Sequence, residues 1–294
     1  MQKTERSLEA ALKHISQVPP PWIPRDVVLP FARDCLGVKA EHEQRWYQDA
    51  RWGFFAQILM AQAAAVGREH QIENMLEPVD WNSLNPLLEK NKGVILVSYH
   101  VGPWMALLLP AARSGLPIVN ISGAPENVQP PNSISVRDEL GAKTALAKAL
   151  LHLRRNGIIL ASPEGRWGNR QREMNFLGQP FKLFSGIGEL AQLSGAATCF
   201  YTATWSQINR IKITLGPLIR PRGTGEDWLR DWYTAYLGQM RAQMRARPAD
   251  LGFQYGLWDT PKGGLQWINY GQKSSSAEEN SETGNDWNCL FCAY

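Results

Sequence analysis

The chain has 294 residues, 44% of them apolar and 20% charged, and a formal net charge of +4. This is an ordinary globular composition, long enough for one large domain or two small ones. It excludes a nucleic-acid polycation, and no run of about 18 uncharged apolar residues offers a membrane-spanning helix, so the expected chain is soluble or lies on a membrane surface.

Met1–Gln17 is polar, with Leu8, Ala11, Leu12 and Ile15 at helical spacing. That pattern predicts a short amphipathic helix rather than a cleavable signal. Val18-Pro-Pro-Pro-Trp-Ile-Pro24 is an extended connector that ends it. A helical period then runs from Glu41 to Val66 and carries Trp46, Tyr47, Trp52, Phe54, Phe55, Ile58, Leu59 and Met60. Two readings stand side by side: a helix buried against a sheet, or an interfacial helix whose Arg45 and Arg51 face anionic lipid. Asp80-Trp81-Asn82 leads into a further helix over Leu84–Lys90.

From Gly93 the pattern becomes α/β. Strands are expected at Val94–Ser98, Ile118–Ser122, Ile158–Ser162, Ala197–Trp205 and Ile211–Leu215, and helices at Pro103–Ser114, Arg137–Arg155, Gly186–Leu193 and Asp227–Arg247. Alternation of this kind predicts a mostly parallel central sheet flanked by helices, with an N-terminal helical layer. The last two strands, joined by a short polar turn, are expected to form an antiparallel hairpin. The organisation is therefore an N-terminal helical region (1–80), an α/β domain (81–260) and a Gly-, Ser- and Glu-rich tail (261–294) expected to be flexible. Between Trp205 and Arg222 lie Arg210, Lys212, Arg220 and Arg222 with no acid. They form either a solvated edge or a surface for an anionic partner such as phospholipid head groups or a phosphorylated carrier.

The four cysteines, Cys35, Cys199, Cys289 and Cys292, form no disulfide framework, which favours a reducing compartment. Cys289-Leu-Phe-Cys292 alone supplies too few ligands for a structural zinc. Of five histidines, His100 sits at a strand–helix junction, in Gly93-Val-Ile-Leu-Val-Ser-Tyr-His100-Val-Gly-Pro-Trp104. An imidazole there can accept a proton at neutral pH, and Gly102-Pro103 is read as the turn into a helix whose N-terminus would favour an oxyanion. Ile158-Ile-Leu-Ala-Ser-Pro-Glu164-Gly-Arg166-Trp167 repeats the arrangement with a carboxylate and a guanidinium, and Arg170 and Arg172 make that loop basic. Ser185 opens the next helix as an expected N-cap, and Gly186-Ile-Gly188 is too short to signal a dinucleotide fold.

Three stretches occur in an informative order: Gly93–Trp104, Leu153–Glu164, and Phe176-Leu-Gly-Gln-Pro-Phe181 through Ser185-Gly186 to Leu190-Ala-Gln-Leu-Ser-Gly195-Ala196. Together they resemble the lysophospholipid acyltransferase superfamily, nearest its lipid A late acyltransferase (lauroyl/myristoyl transferase) branch. The likeness covers roughly Glu69 to Phe253. The resemblance implies transfer of a fatty acyl group from acyl carrier protein or coenzyme A to a hydroxyl of a lipid-like acceptor. It implies a cytoplasmic protein, peripheral on the inner face of the membrane, with no metal, no resident cofactor and no nucleic-acid partner. His100 would take the acceptor's proton. Glu164 and Arg166 match the family's Pro-Glu-Gly-Thr-Arg-like block, without its Thr, and would hold the acceptor head. Trp104, Arg170, Ser185 and Gly186 complete the expected substrate contacts.

One position departs from the family pattern of His, four residues, then Asp or Glu: here the fifth residue after His100 is Met105. Methionine neither orients an imidazole nor stabilises its cation. Glu164, Glu126 or Asp138 could substitute, Glu164 first because it ends a neighbouring strand. Alternatively the acceptor is an amine that needs a weaker base, or the chain binds acyl groups without transferring them. A hydrolase in which His100 activates water is the remaining alternative.

Overall fold

Short apolar runs set the centre of the molecule. In the computed structural model, which describes residues 7–20, 22, 24–88, 92–123, 132–136, 139–164, 171–222 and 225–251, β1 (Val94–Val97) is buried along its whole length. So is β4 (Ile158–Ala161). Full burial of successive residues means that both faces of the sheet are covered. With β2 (Ile118–Ser122), β3 (Ser133–Ser135), β7 (Ala197–Gln207) and β8 (Arg210–Ile219) they form a six-stranded sheet of order β3-β2-β4-β1-β7-β8. The pairs β1–β4, β1–β7, β2–β3 and β2–β4 are parallel. The β7–β8 pair is the expected antiparallel hairpin.

Alternate residues of β1 enter different cores. Ile95 and Val97 join Ile159, Ala161 and Phe200 on one face. Three helices pack there: α2 (Arg25–Leu36), α8 (Gly186–Ser194) and α9 (Glu226–Ala246), with α7 (Glu139–Arg154) beside them. Val94 and Leu96 join Ile158 and Leu160 on the other face, under α1 (Leu8–Gln17), α4 (Glu69–Glu73) and α6 (Leu108–Arg113). The long helix α3 (Glu43–Ala65) spans both, giving Trp46, Tyr47 and Ala50 to the first core and Ala56 and Met60 to the second. Trp46 and Tyr47 are buried, and Trp52, Phe54 and Phe55 are half-buried against the two cores. Arg51 donates to the carbonyls of Pro19 and Pro20, so it fastens the proline connector rather than facing a lipid surface. A short α5 (Asn85–Leu88) follows a 3₁₀ turn, Trp81–Leu84.

Three segments differ from expectation. Helix α2 lies where the sequence suggested no helix; Pro30 sits inside it and forfeits one backbone donor, and burial of Val28, Phe31, Ala32 and Leu36 offsets that loss. The stretch read as a basic loop contains a separate hairpin, β5 (Gln171–Phe176) with β6 (Gln179–Phe184). Its two-residue turn has positive φ at both Leu177 and Gly178, the geometry that suits strand twist. Pro103 does not open a helix: it precedes a 3₁₀ turn, Trp104–Leu107, and the following α6 has only six residues. A helix so short contributes little dipole at His100. Glu126, Asp138, Arg166, Arg170, the Cys289/Cys292 pair and the tail lie outside the described residues.

Candidate active site

Strands β1 and β4 lie side by side, with Val97 opposite Ala161. Both chains continue in register past the last strand pair. The Ser98 N–H donates to the Ala161 carbonyl at 3.0 Å, and the Ser98 and Ser162 hydroxyls meet at 2.5 Å. His100 and Glu164 each stand three residues beyond the Val97–Ala161 pair. The register that aligns the strands therefore aligns the ring with the carboxylate. His100 Nδ1 is 3.0 Å from Glu164 Oε2, and the His100 backbone N–H donates to Oε1 at 3.2 Å.

The pair is nearly dry. The Glu164 side chain is 1% exposed and that of His100 11%. An ionised carboxylate only accepts, so Nδ1 carries the proton and Nε2 presents a lone pair. Trp104 meets the imidazole edge-on, with ring centroids 4.5 Å apart, and restricts its rotation. Beneath Glu164 stands Tyr236 of α9, fully buried, whose hydroxyl donates to the Ser98 carbonyl at 3.0 Å and lies within hydrogen-bonding reach of Glu164. Burial first, and then the negative charge of Glu164, push the Tyr236 and Tyr99 phenols well above their ordinary range, so both stay neutral.

The loop that carries His100 is fixed from the other side. Gly102 has φ of +73°, and a Cβ there would meet the Ala203 carbonyl oxygen at 2.1 Å. Its N–H donates to the backbone carbonyl of Asp250. Met105, in the 3₁₀ turn, is half-buried. The carboxylate that faces the His100 ring is thus that of Glu164.

Ser185 and Gly186 stand close to the same strand end, because the Phe184 N–H donates to the Pro163 carbonyl at 2.8 Å. Ser185 does not cap α8. Its ψ of −19° is helical rather than the extended value of a capping residue, and its side chain makes no cap bond. Tyr236 was not visible as a site residue in the sequence. The α9 period marks it as inward-facing but does not say what it faces. No protein-family model matches the chain, and no curated protein matches it. Among the described residues no group of three or more His, Cys, Asp or Glu side chains is placed to hold a metal ion.

Proposed function

We propose that this protein is an acyltransferase that moves a fatty acyl group from a thioester to a hydroxyl or amine of a lipid or lipid-like acceptor. The donor is acyl-CoA or an acyl carrier protein. The observation that carries this reading is the His100–Glu164 pair, 3.0 Å apart and shielded from water at the end of two parallel strands. With Nδ1 committed to Glu164, Nε2 is the atom that accepts a proton.

The chemistry follows. Nε2 takes the proton of the acceptor as its oxygen or nitrogen attacks the thioester carbonyl carbon. The tetrahedral intermediate collapses, the carbon–sulfur bond breaks, and the imidazolium returns the proton to the leaving thiolate. Glu164 stabilises the imidazolium while it exists. Trp104 shapes the wall beside the ring, and Arg166 and Arg170 are proposed to hold the acceptor's polar head.

Acceptors of this kind place the protein peripherally at the inner face of the cell membrane. No helix among the described residues is long and apolar enough to cross a bilayer, which accords with such a placement.

The test is incubation with a panel of acyl-CoA and acyl-carrier donors and candidate acceptors, following both thioester loss and acylated product. His100→Ala should lower product formation by about 10²–10⁴-fold. Equal product from both chains would remove His100 from the mechanism. Thioester loss that yields free fatty acid alone would make the protein a hydrolase.

A further inference from the structure

We propose that the cleft between the ends of α2 and α9 and the start of α3 is a binding site for an organic anion with an apolar body. The proposal does not rest on the acyl-transfer reading, because neither His100, Glu164 nor Trp104 lines this cleft.

The local sequence builds the walls. Helix α2 stops at Gly37, whose φ of +68° turns the chain, and Val38 and Lys39 continue from it as one side. A 3₁₀ turn, Ala40–His42, then leads directly into α3. His42, Arg45, Trp46 and Asp49 fall at helical spacing, so together they form a second side. Arg245 and Ala246 end α9, and Pro248 of the next turn closes the third. The space is about 450 Å³, within the ordinary range of small-molecule sites.

The lining is amphipathic. Leu36 and Trp46 are buried, and Val38 and Pro248 are half-buried, so the interior of the cleft is apolar. Lys39, Arg45 and Arg245 are exposed at its rim, where their aliphatic stems extend the apolar wall and their heads stay in water. The Arg245 guanidinium packs over Gly37: a Cβ there would lie 3.2 Å from Nη2.

Two of these cations are uncommitted. Arg45 faces Asp49 at 3.8 Å. Among the described residues Lys39 and Arg245 have no hydrogen-bond or ion-pair partner. Two features oppose an anion, the Asp49 carboxylate and the carbonyl ends of α2 and α9. Arg45 offsets the first. Backbone donors reduce the second: the Gly37 and Val38 N–H groups serve the Arg33 and Ala32 carbonyls, and the Arg247 N–H serves that of Gln243. An ammonium and a guanidinium at the rim of an apolar bed match one carboxylate, sulfonate or phosphate carried on an aliphatic or aromatic body.

The test uses the full chain and two fluorescent probes with the same apolar body. Anilinonaphthalene sulfonate carries an anion, and phenylnaphthylamine does not. The wild-type chain should bind the sulfonate more tightly than the neutral probe. Lys39→Gln and Arg245→Gln should each weaken sulfonate binding about threefold or more and leave the neutral probe unchanged. Asp49→Asn should tighten the sulfonate alone. A loosened fold raises the uptake of both probes, so the comparison separates charge from unfolding. Lys212→Gln, on the exposed β8 edge, should change neither.

Octanoate and octyl phosphate should displace the sulfonate, and the tighter competitor assigns the head group. Sulfonate binding that survives in the Lys39→Gln, Arg245→Gln double variant overturns the proposal. So does equal binding of the two probes by wild type, or failure of both competitors to displace the dye. None of these outcomes depends on whether acyl transfer is found.

Discussion

A carboxylate in a dry interior is tolerated where donors meet its oxygens. Glu164 has the His100 backbone N–H on Oε1 and Nδ1–H on Oε2. Those donors fix one tautomer of His100. In Glu164→Gln the amide nitrogen would face Nδ1, push its proton to Nε2 and leave no base toward the acceptor. The expected result is a fall in kcat of about 10²–10⁴-fold with little change in KM, read from steady-state rates on the best thioester. Met105→Glu is the companion variant. Because Nδ1 already has a carboxylate partner, a further carboxylate has no orienting task left. Its rate should equal or fall below wild type; a clear gain would show that Glu164 does not orient the ring.

At the scale of elements, two parallel strands act as rails that carry the pair past their last hydrogen bonds. The rails depend on what grips the loop after His100. Gly102 lies against the Ala203 carbonyl of β7 in a conformation that L residues avoid. Gly102→Ala should therefore cost about 2–4 kcal/mol and shift His100 away from Glu164, lowering the urea midpoint and the acyl-transfer rate together. An unchanged midpoint would mean that the loop yields freely and does not hold the ring.

How far the elements could be read follows from the range of the forces that make them. β1 and β4 were legible because four buried apolar residues in a row have few other uses, and Glu164 was legible as a neighbour of His100 because it follows such a run. Helix α2 was hidden by Pro30, whose local penalty is offset by burial that a local pattern does not contain. The β5–β6 hairpin was hidden by its charge, although Arg172, Met174 and Phe176 alternate with more exposed neighbours. Ser185 was misjudged because a cap depends on its own backbone angles. Tyr236 and Asp250 lie far along the chain from the residues they hold, so spacing alone does not connect them to His100.

At the scale of the molecule, the site loop, the sheet and both helical layers converge on the 3₁₀ turn Pro248–Asp250 after α9. Gly53 of α3 packs so close to this turn that a Cβ would fall 1.7 Å from the Ala249 carbonyl oxygen. Asp250 is fully buried. Its carboxylate accepts from the Trp205 N–H at 3.0 Å and from the Gln243 amide at 3.1 Å, while its backbone carbonyl accepts from Gly102. Burial outweighs these donors and the Arg247 charge, and lifts the carboxyl from 3.8 to about 7. The folded chain thus holds a proton that the unfolded chain releases near 3.8, and the stabilisation linked to it is complete below that pH and lost as the pH rises through about 7. Asp250 should lower stability by on the order of a few kcal/mol across that window. Asp250→Asn keeps a carbonyl for the Trp205 N–H and has no proton to lose. Its amide can also turn toward Gln243 Oε1, which is buried and without a partner. The difference in urea midpoint between wild type and Asp250→Asn should therefore move in favour of the variant as pH is raised from about 4 to about 8. A difference that stays constant across the window would mean that Asp250 is already charged in the fold, and that the turn holds the site loop by its backbone bond alone.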